Sequence, residues 1–147
     1  MFSFERLDAY IEARKLVKEI YLLLHAFPKI ETYALSDQIR RSAISITSNI
    51  AEGSGRSSIK EKIHFLEISY ASMLESYSQL QIALDLGYIT SEEFEKLQPL
   101  YNKVASLLSG LRRSYEKFLP PHRYPLNPHP LTLTPPHYNL SKKSKSE

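Results

Sequence analysis

The sequence predicts an all-α fold, an antiparallel up-down four-helix bundle over residues 1–119 followed by a disordered, Pro-rich basic tail over residues 120–147. Three observations predict it. Four successive stretches repeat apolar residues in alternating steps of three and four, the period that lays one stripe along a helix. Each stretch is closed by proline, glycine or a short polar run. After Leu119 the pattern stops, and seven of the nine prolines fall within the remaining residues.

The first helix is expected from Leu7 to Phe27, with Ala13, Leu16, Ile20, Leu23 and Phe27 inward and Pro28 ending the run. The second is expected from Thr32 to Glu52 on Leu35, Ile39, Ala43, Ile46 and Ile50, with Gly53 placed for a left-handed C-terminal cap. The run from Gly53 to Ser58 is a tight connection that favours an antiparallel return. The third helix carries a heptad seam of Ile59, Ile63, Leu66, Tyr70, Met73, Tyr77, Leu80 and Leu84, and Gly87 stops it. The fourth opens on Thr90-Ser-Glu-Glu93, a capping box in which hydroxyl and carboxylate satisfy two backbone N–H groups. Its seam is Phe94, Leu97, Tyr101, Val104, Leu108, Leu111, Tyr115 and Phe118, with Pro99 just past the first turn as a point of bending.

Composition narrows the function. With 147 residues and 42% of them hydrophobic, one core is expected. The chain has no cysteine, which removes disulfides and thiolate metal sites and suits the cytoplasm, the expected location. The N-terminal residues lack a signal-peptide pattern, and no run reaches the roughly 18 apolar residues a bilayer span needs. The net charge of +3 is confined to the tail, because residues 1–119 hold equal numbers of basic and acidic residues. Any polyanion site on the bundle must therefore be a local cluster.

Catalytic motifs are scarce. A di-metal carboxylate bundle needs two Glu-x-x-His motifs, and only Glu61-Lys-Ile-His64 has the spacing. Neither a nucleophile elbow nor a phosphate loop is present. No catalytic residue, cofactor, metal or small-molecule substrate is expected, and the chain is read as a binding protein.

Three groups of residues stand out instead. Gln38, Ser42, Ser45, Asn49 and Glu52 form a small, polar flank of the second helix, read as a structural hydrogen-bonding stripe with Glu75 as a candidate partner. Ile44, Phe65 and Ile68 lie off the core seams and are candidates for subunit contact. Arg40, Arg41, Arg56, Lys60, Arg112 and Arg113 are the basic residues that a polyanion could use, though cations also suit helix C-termini and solvated faces. In the tail, the run from Arg123 to Pro128 (Arg-Tyr-Pro-Leu-Asn-Pro) fits a loose proline-rich ligand pattern.

The run Gln38-Ile-Arg-Arg-Ser-Ala-Ile-Ser-Ile-Thr-Ser-Asn-Ile-Ala-Glu-Gly-Ser-Gly-Arg56 closely resembles the signature of the bacterial 23S rRNA-intervening-sequence proteins, the S23-type four-helix bundles. Phe27-Pro28, Phe65-Leu66 and Leu86-Gly-Tyr-Ile89 extend the resemblance to about residues 2–118. It implies an antiparallel bundle assembling as a homopentamer, with no enzymatic activity. A related branch, the accessory variability proteins of diversity-generating retroelements, assists a reverse transcriptase and contacts nucleic acid through a basic surface. By that resemblance Arg40, Arg41 and Arg56 are the residues to watch. The expected partners are other copies of the chain and either RNA or an RNA-bound protein such as a reverse transcriptase; a protein-interaction scaffold without nucleic-acid affinity is the alternative.

Overall fold

The computed structural model describes residues 1–121. Four α-helices carry the fold, α1 (Asp8–Leu24), α2 (Leu35–Ser54), α3 (Ile59–Asp85) and α4 (Ser91–Glu116), with short 3-10 turns at Ser3–Arg6 and Lys29–Glu31. No strand occurs among the described residues. Each helix packs on its two neighbours in cyclic order, α1 on α2, α2 on α3, α3 on α4 and α4 on α1, and the diagonal pairs do not meet. Short connections with this neighbour order make an up-down bundle. The N-termini of α1 and α3 and the C-termini of α2 and α4 therefore share one end. The tail predicted from residue 120 lies, beyond Pro121, outside the described residues. No helix among them is long and apolar enough to cross a membrane.

The core follows the predicted seams. Leu16 and Ile20 of α1, Ile39 and Ile46 of α2, Met73 and Leu80 of α3, and Tyr101 and Leu108 of α4 are all fully buried. Each such side chain contributes about 1.5–3 kcal/mol through removal from water. The capping box of α4 forms as expected, with Glu93 N–H donating to Thr90 Oγ1 at 3.1 Å and Thr90 N–H to Glu93 Oε2 at 2.8 Å. Pro99 sits inside α4, which is a single continuous helix.

Helix boundaries differ from the sequence reading at several points. α1 ends at Leu24 rather than Phe27, and α4 ends at Glu116, which leaves Phe118, expected on its seam, 75% exposed. α2 starts at Leu35 rather than Thr32, because the Glu31 carboxylate reaches forward to accept the Leu35 N–H at 3.1 Å and the intervening residues turn. The same carboxylate accepts the Tyr88 hydroxyl at 2.8 Å, which ties the α1–α2 connection to the α3–α4 connection at the far end of the bundle. Gly53 is not a left-handed cap. It lies buried within α2, which continues to Ser54, and a Cβ there would fall 2.7 Å from Phe65 Cβ of α3. Its role is close approach of two helices. The left-handed stop is Gly87, with φ of 74°, after α3.

Candidate nucleic-acid interface

The shared end of the bundle gathers side chains that are far apart in sequence. α2 ends at Ser54 and α3 begins at Ile59, where Ser58 caps it by accepting the Glu61 N–H at 3.2 Å. The Ser58 hydroxyl in turn donates to Glu61 Oε2 at 2.8 Å. Glu61 is thereby used as a cap, and His64 lies edge-on to Phe65 with ring centroids 5.8 Å apart. The Glu61–His64 pair thus has local structural roles, and among the described residues no group of three or more metal-ligating side chains converges.

The turn places Arg56 over the Phe65 ring, its guanidinium carbon 4.6 Å from the centroid, while Nη2 pairs with Glu52 Oε1. Lys62 bridges to α2 and α4, with Nζ donating to Ser54 O at 2.8 Å and standing 5.9 Å over the Tyr115 ring. Arg112 of α4 lies between Glu67 of α3 and Glu116 of its own helix, at 3.0 Å from each. Lys60 and Arg113 are exposed and form no ion pair among the described residues. Four of the six predicted basic residues, Arg56, Lys60, Arg112 and Arg113, therefore belong to one end.

Arg40 and Arg41 do not join them. They lie 12 and 11 residues before Glu52 on α2, about 17 Å along its axis. Arg41 Nε pairs with Asp37 Oδ2 at 2.9 Å, and Arg40 Nη1 donates to the Thr32 carbonyl at 3.3 Å, holding the turn that enters α2.

The polar stripe is an interhelical network at its centre and surface at its ends. Ser42 Oγ reaches Gln79 Oε1 at 2.8 Å, and Gln79 Nε2 donates to Glu75 Oε1 at 3.1 Å, so Glu75 enters through Gln79 rather than directly. Ser45 and Ser72 hydroxyls lie 2.8 Å apart, and Asn49 Nδ2 donates to Ser45 O and Oγ at 2.7 and 2.9 Å. Gln38 is exposed, and Glu52 turns outward to Arg56. On α3, Ser72 and Gln79 meet the stripe, Ser69 Oγ donates to Ile46 O of α2 at 2.8 Å, and Ser76 turns instead to Tyr101 of α4 at 2.8 Å; this buried polar row is not among the residues singled out from the sequence. Its signal was there, since these residues repeat in steps of three, four and three beside the apolar seam.

Of the predicted contact residues, Ile44 is 44% exposed, whereas Phe65 and Ile68 are half-buried. Phe65 is occupied within the protomer by Gly53 beneath it and Arg56 above. Ile44 projects from the flank of α2 opposite Ser42, which faces α3. Ile68 shares its side of α3 with Ile82, 48% exposed, and with Leu86, 54% exposed, because 14 and 18 residues are whole numbers of heptads and turns. Ile44 and the Ile68–Ile82–Leu86 row therefore lie on two different faces.

The description 23S rRNA-intervening sequence protein belongs to the family model that matches residues 5–110. No curated protein matches the chain. Among solved structures, a protein of unknown function from the S23 ribosomal protein family of Bacteroides thetaiotaomicron VPI-5482 is 24% identical, with a TM-score of 0.66 over 71% of this chain and 98% of that one. That likeness shows a shared fold.

Proposed function

Given that the chain belongs to the 23S rRNA-intervening sequence protein family, we propose that it works by binding rather than by catalysis, as a homo-oligomeric bundle that associates with RNA or with an RNA-bound protein. The observation that supports RNA contact is the convergence of Arg56, Lys60, Arg112 and Arg113 at one end of the bundle. Lys60 and Arg113 are free to meet phosphates directly. Arg56 and Arg112 must exchange a carboxylate for a phosphate, so they add less net attraction. A ring of protomers would multiply this modest cluster into a continuous basic rim, which is how a bundle of zero net charge can hold a polyanion.

The experiment is binding of structured RNA to the full chain as a function of salt. An affinity that falls linearly on a log-log plot, with a slope that Lys60→Gln and Arg113→Gln each reduce by roughly 0.7 to 0.9, supports the reading. Absence of binding at low salt removes it. The scaffold reading would then stand, and one observation already favours it: Arg41, Arg56 and Arg112 are each paired with a carboxylate of the same protomer.

A further inference from the structure

A row of aromatic rings runs from the edge of the core to the surface at the N-terminal turn. Tyr10, half-buried on α1, meets Phe4 edge-on with centroids 4.8 Å apart, and Phe4 stacks on Phe2 at 6.0 Å with the two planes 8° apart. Both are arrangements that the ring quadrupole favours. Arg14 closes the inner end of the row, its guanidinium carbon 5.9 Å from the Tyr10 centroid. The outer end is open, because Phe4 is half-buried whereas Phe2 is 75% exposed. An exposed side chain this near a chain end is ordinarily loose. Here the backbone is held instead: Phe2 N–H donates to Glu5 Oε1 at 2.7 Å, and the Phe2 carbonyl accepts from Glu5 N–H at 3.2 Å. The 3-10 turn that follows packs on both α1 and α2. Phe2 is thus a fixed ring with one face on Phe4 and no second ring or cation against it among the described residues.

The surroundings of that ring identify what stacks on it. The turn precedes α1, so Phe2 stands at the same end of the bundle as the exposed Lys60, Arg113 and Lys117, with Arg6 in the turn itself. None of these four cations forms an ion pair among the described residues. The carboxylates of this end are largely engaged, Glu52, Glu67 and Glu116 by arginines, Glu5 by the Phe2 N–H and Glu61 by the Ser58 hydroxyl. An open ring face among free cations matches a ligand that alternates flat rings with anionic links, and a nucleic-acid strand is such a ligand. The neutrality of the bundle points the same way. Residues 1–119 carry equal numbers of basic and acidic side chains, so phosphate attraction alone is weak, and stacking adds affinity that needs no net charge.

We propose that Phe2 is a stacking platform for an unpaired base of single-stranded RNA, with the free cations of this end, Arg6 among them, taking phosphates of the same strand. A base inside a duplex has both faces covered by its neighbours and cannot use the ring. The inference rests on the RNA reading above and narrows it to single strands and the loops of structured RNA.

The test titrates the full chain with a short single-stranded RNA carrying a fluorescent adenine analogue, and with a blunt duplex of the same strand. The single strand should bind more tightly, and stacking should quench the analogue. Phe2→Leu keeps an apolar side chain and the backbone bonds to Glu5 but has no ring face. It should weaken binding roughly 5- to 150-fold and abolish the quenching, with helicity and the log-log salt slope unchanged. Phe2→Trp should restore both. Arg6→Gln should do the opposite, lowering the slope by about 0.7 while the quenching persists. Equal affinity for the duplex, or a Phe2→Leu protein that binds and quenches like the parent, overturns the platform and leaves the RNA reading standing. Absence of binding to either RNA at low salt removes both readings. If the protein then binds phosphatidylserine vesicles and Phe2→Leu does not, the ring is a membrane contact instead.

Discussion

Gly53 and Phe65 are in contact through bare backbone, since any Cβ on Gly53 would sit 2.7 Å from Phe65 Cβ. That atom is fixed to the α3 backbone and cannot swing aside as a side-chain tip could. Gly53→Ala must therefore push α2 and α3 apart where Arg56 stacks on the same ring. Overpacking of this kind costs about 1–3 kcal/mol, less the roughly 1 kcal/mol by which Ala favours a helix over Gly. A lower urea midpoint for Gly53→Ala, with Gly55→Ala neutral or better, is the expected result. Gly55 is the fitting control, because a Cβ there meets only Glu52 O at 3.6 Å.

A second prediction concerns alkaline pH. The Tyr101 hydroxyl is buried against Ser76 Oγ at 2.8 Å, and burial pushes its pKa far above the ordinary 10.0, outweighing the Ser76 hydrogen bond, which pulls it down. The folded state thus holds a proton that the unfolded chain gives up above pH 10. Stability from this group is complete below pH 10 and declines as pH rises beyond it, by about 1.4 kcal/mol per pH unit. Tyr101→Phe should flatten the decline between pH 10 and 11.5 in urea titrations, while lowering stability at pH 7 through loss of the Tyr101–Ser76 hydrogen bond, Ser76 keeping its bond to the Met73 carbonyl at 2.8 Å. An unchanged slope would show that Tyr101 is not the group that titrates.

The seams of all four helices were legible in the sequence because a buried stripe imposes its period regardless of partner, as Leu16, Ile39, Met73 and Tyr101 show. Interhelical detail was not legible. Gly53 reads as a terminator by its type, and only the position of Phe65 on another helix reveals that the missing Cβ is what matters. Ser42 announces a polar flank, but its partner Gln79 is 37 residues away. The basic residues were visible as types, whereas the pairing of Arg112 with Glu67 and the separation of Arg40 and Arg41 from the others depend on how helix ends converge.

That separation makes a third prediction. Lys60→Gln with Arg113→Gln should reduce the salt dependence of RNA binding more than Arg40→Gln with Arg41→Gln, although each pair removes two charges. Arg41 already spends its charge on Asp37, and Arg40 holds the Thr32 carbonyl. Arg40→Gln should instead show its effect in faster hydrogen exchange at the α1–α2 connection. Equal effects of the two pairs on binding would mean that the whole surface, not the basic end, attracts RNA.

The last prediction follows from the two apolar faces. Ile44 lies on the side of α2 away from α3, and Ile68, Ile82 and Leu86 lie on the outer side of α3, so an assembly using both joins unlike surfaces. Unlike surfaces propagate head to tail and close into rings, whereas a two-fold dimer joins like to like. Ile44→Asp should therefore abolish assembly, and so should Ile82→Asp, each giving the 17.0 kDa protomer in light scattering. Mixing the two variants discriminates the geometries. In the head-to-tail arrangement the first variant keeps an intact α3 face and the second an intact α2 face, and these two surfaces can still meet once. The mixture should give a species of twice the protomer mass and nothing larger, because every remaining face carries an aspartate. If the contact were two-fold, with Ile44 of each protomer against Ile82 of the other, the mixed dimer would retain one good half and juxtapose two aspartates in the other. Like charges facing each other at a closed contact oppose binding, so that geometry predicts protomers alone.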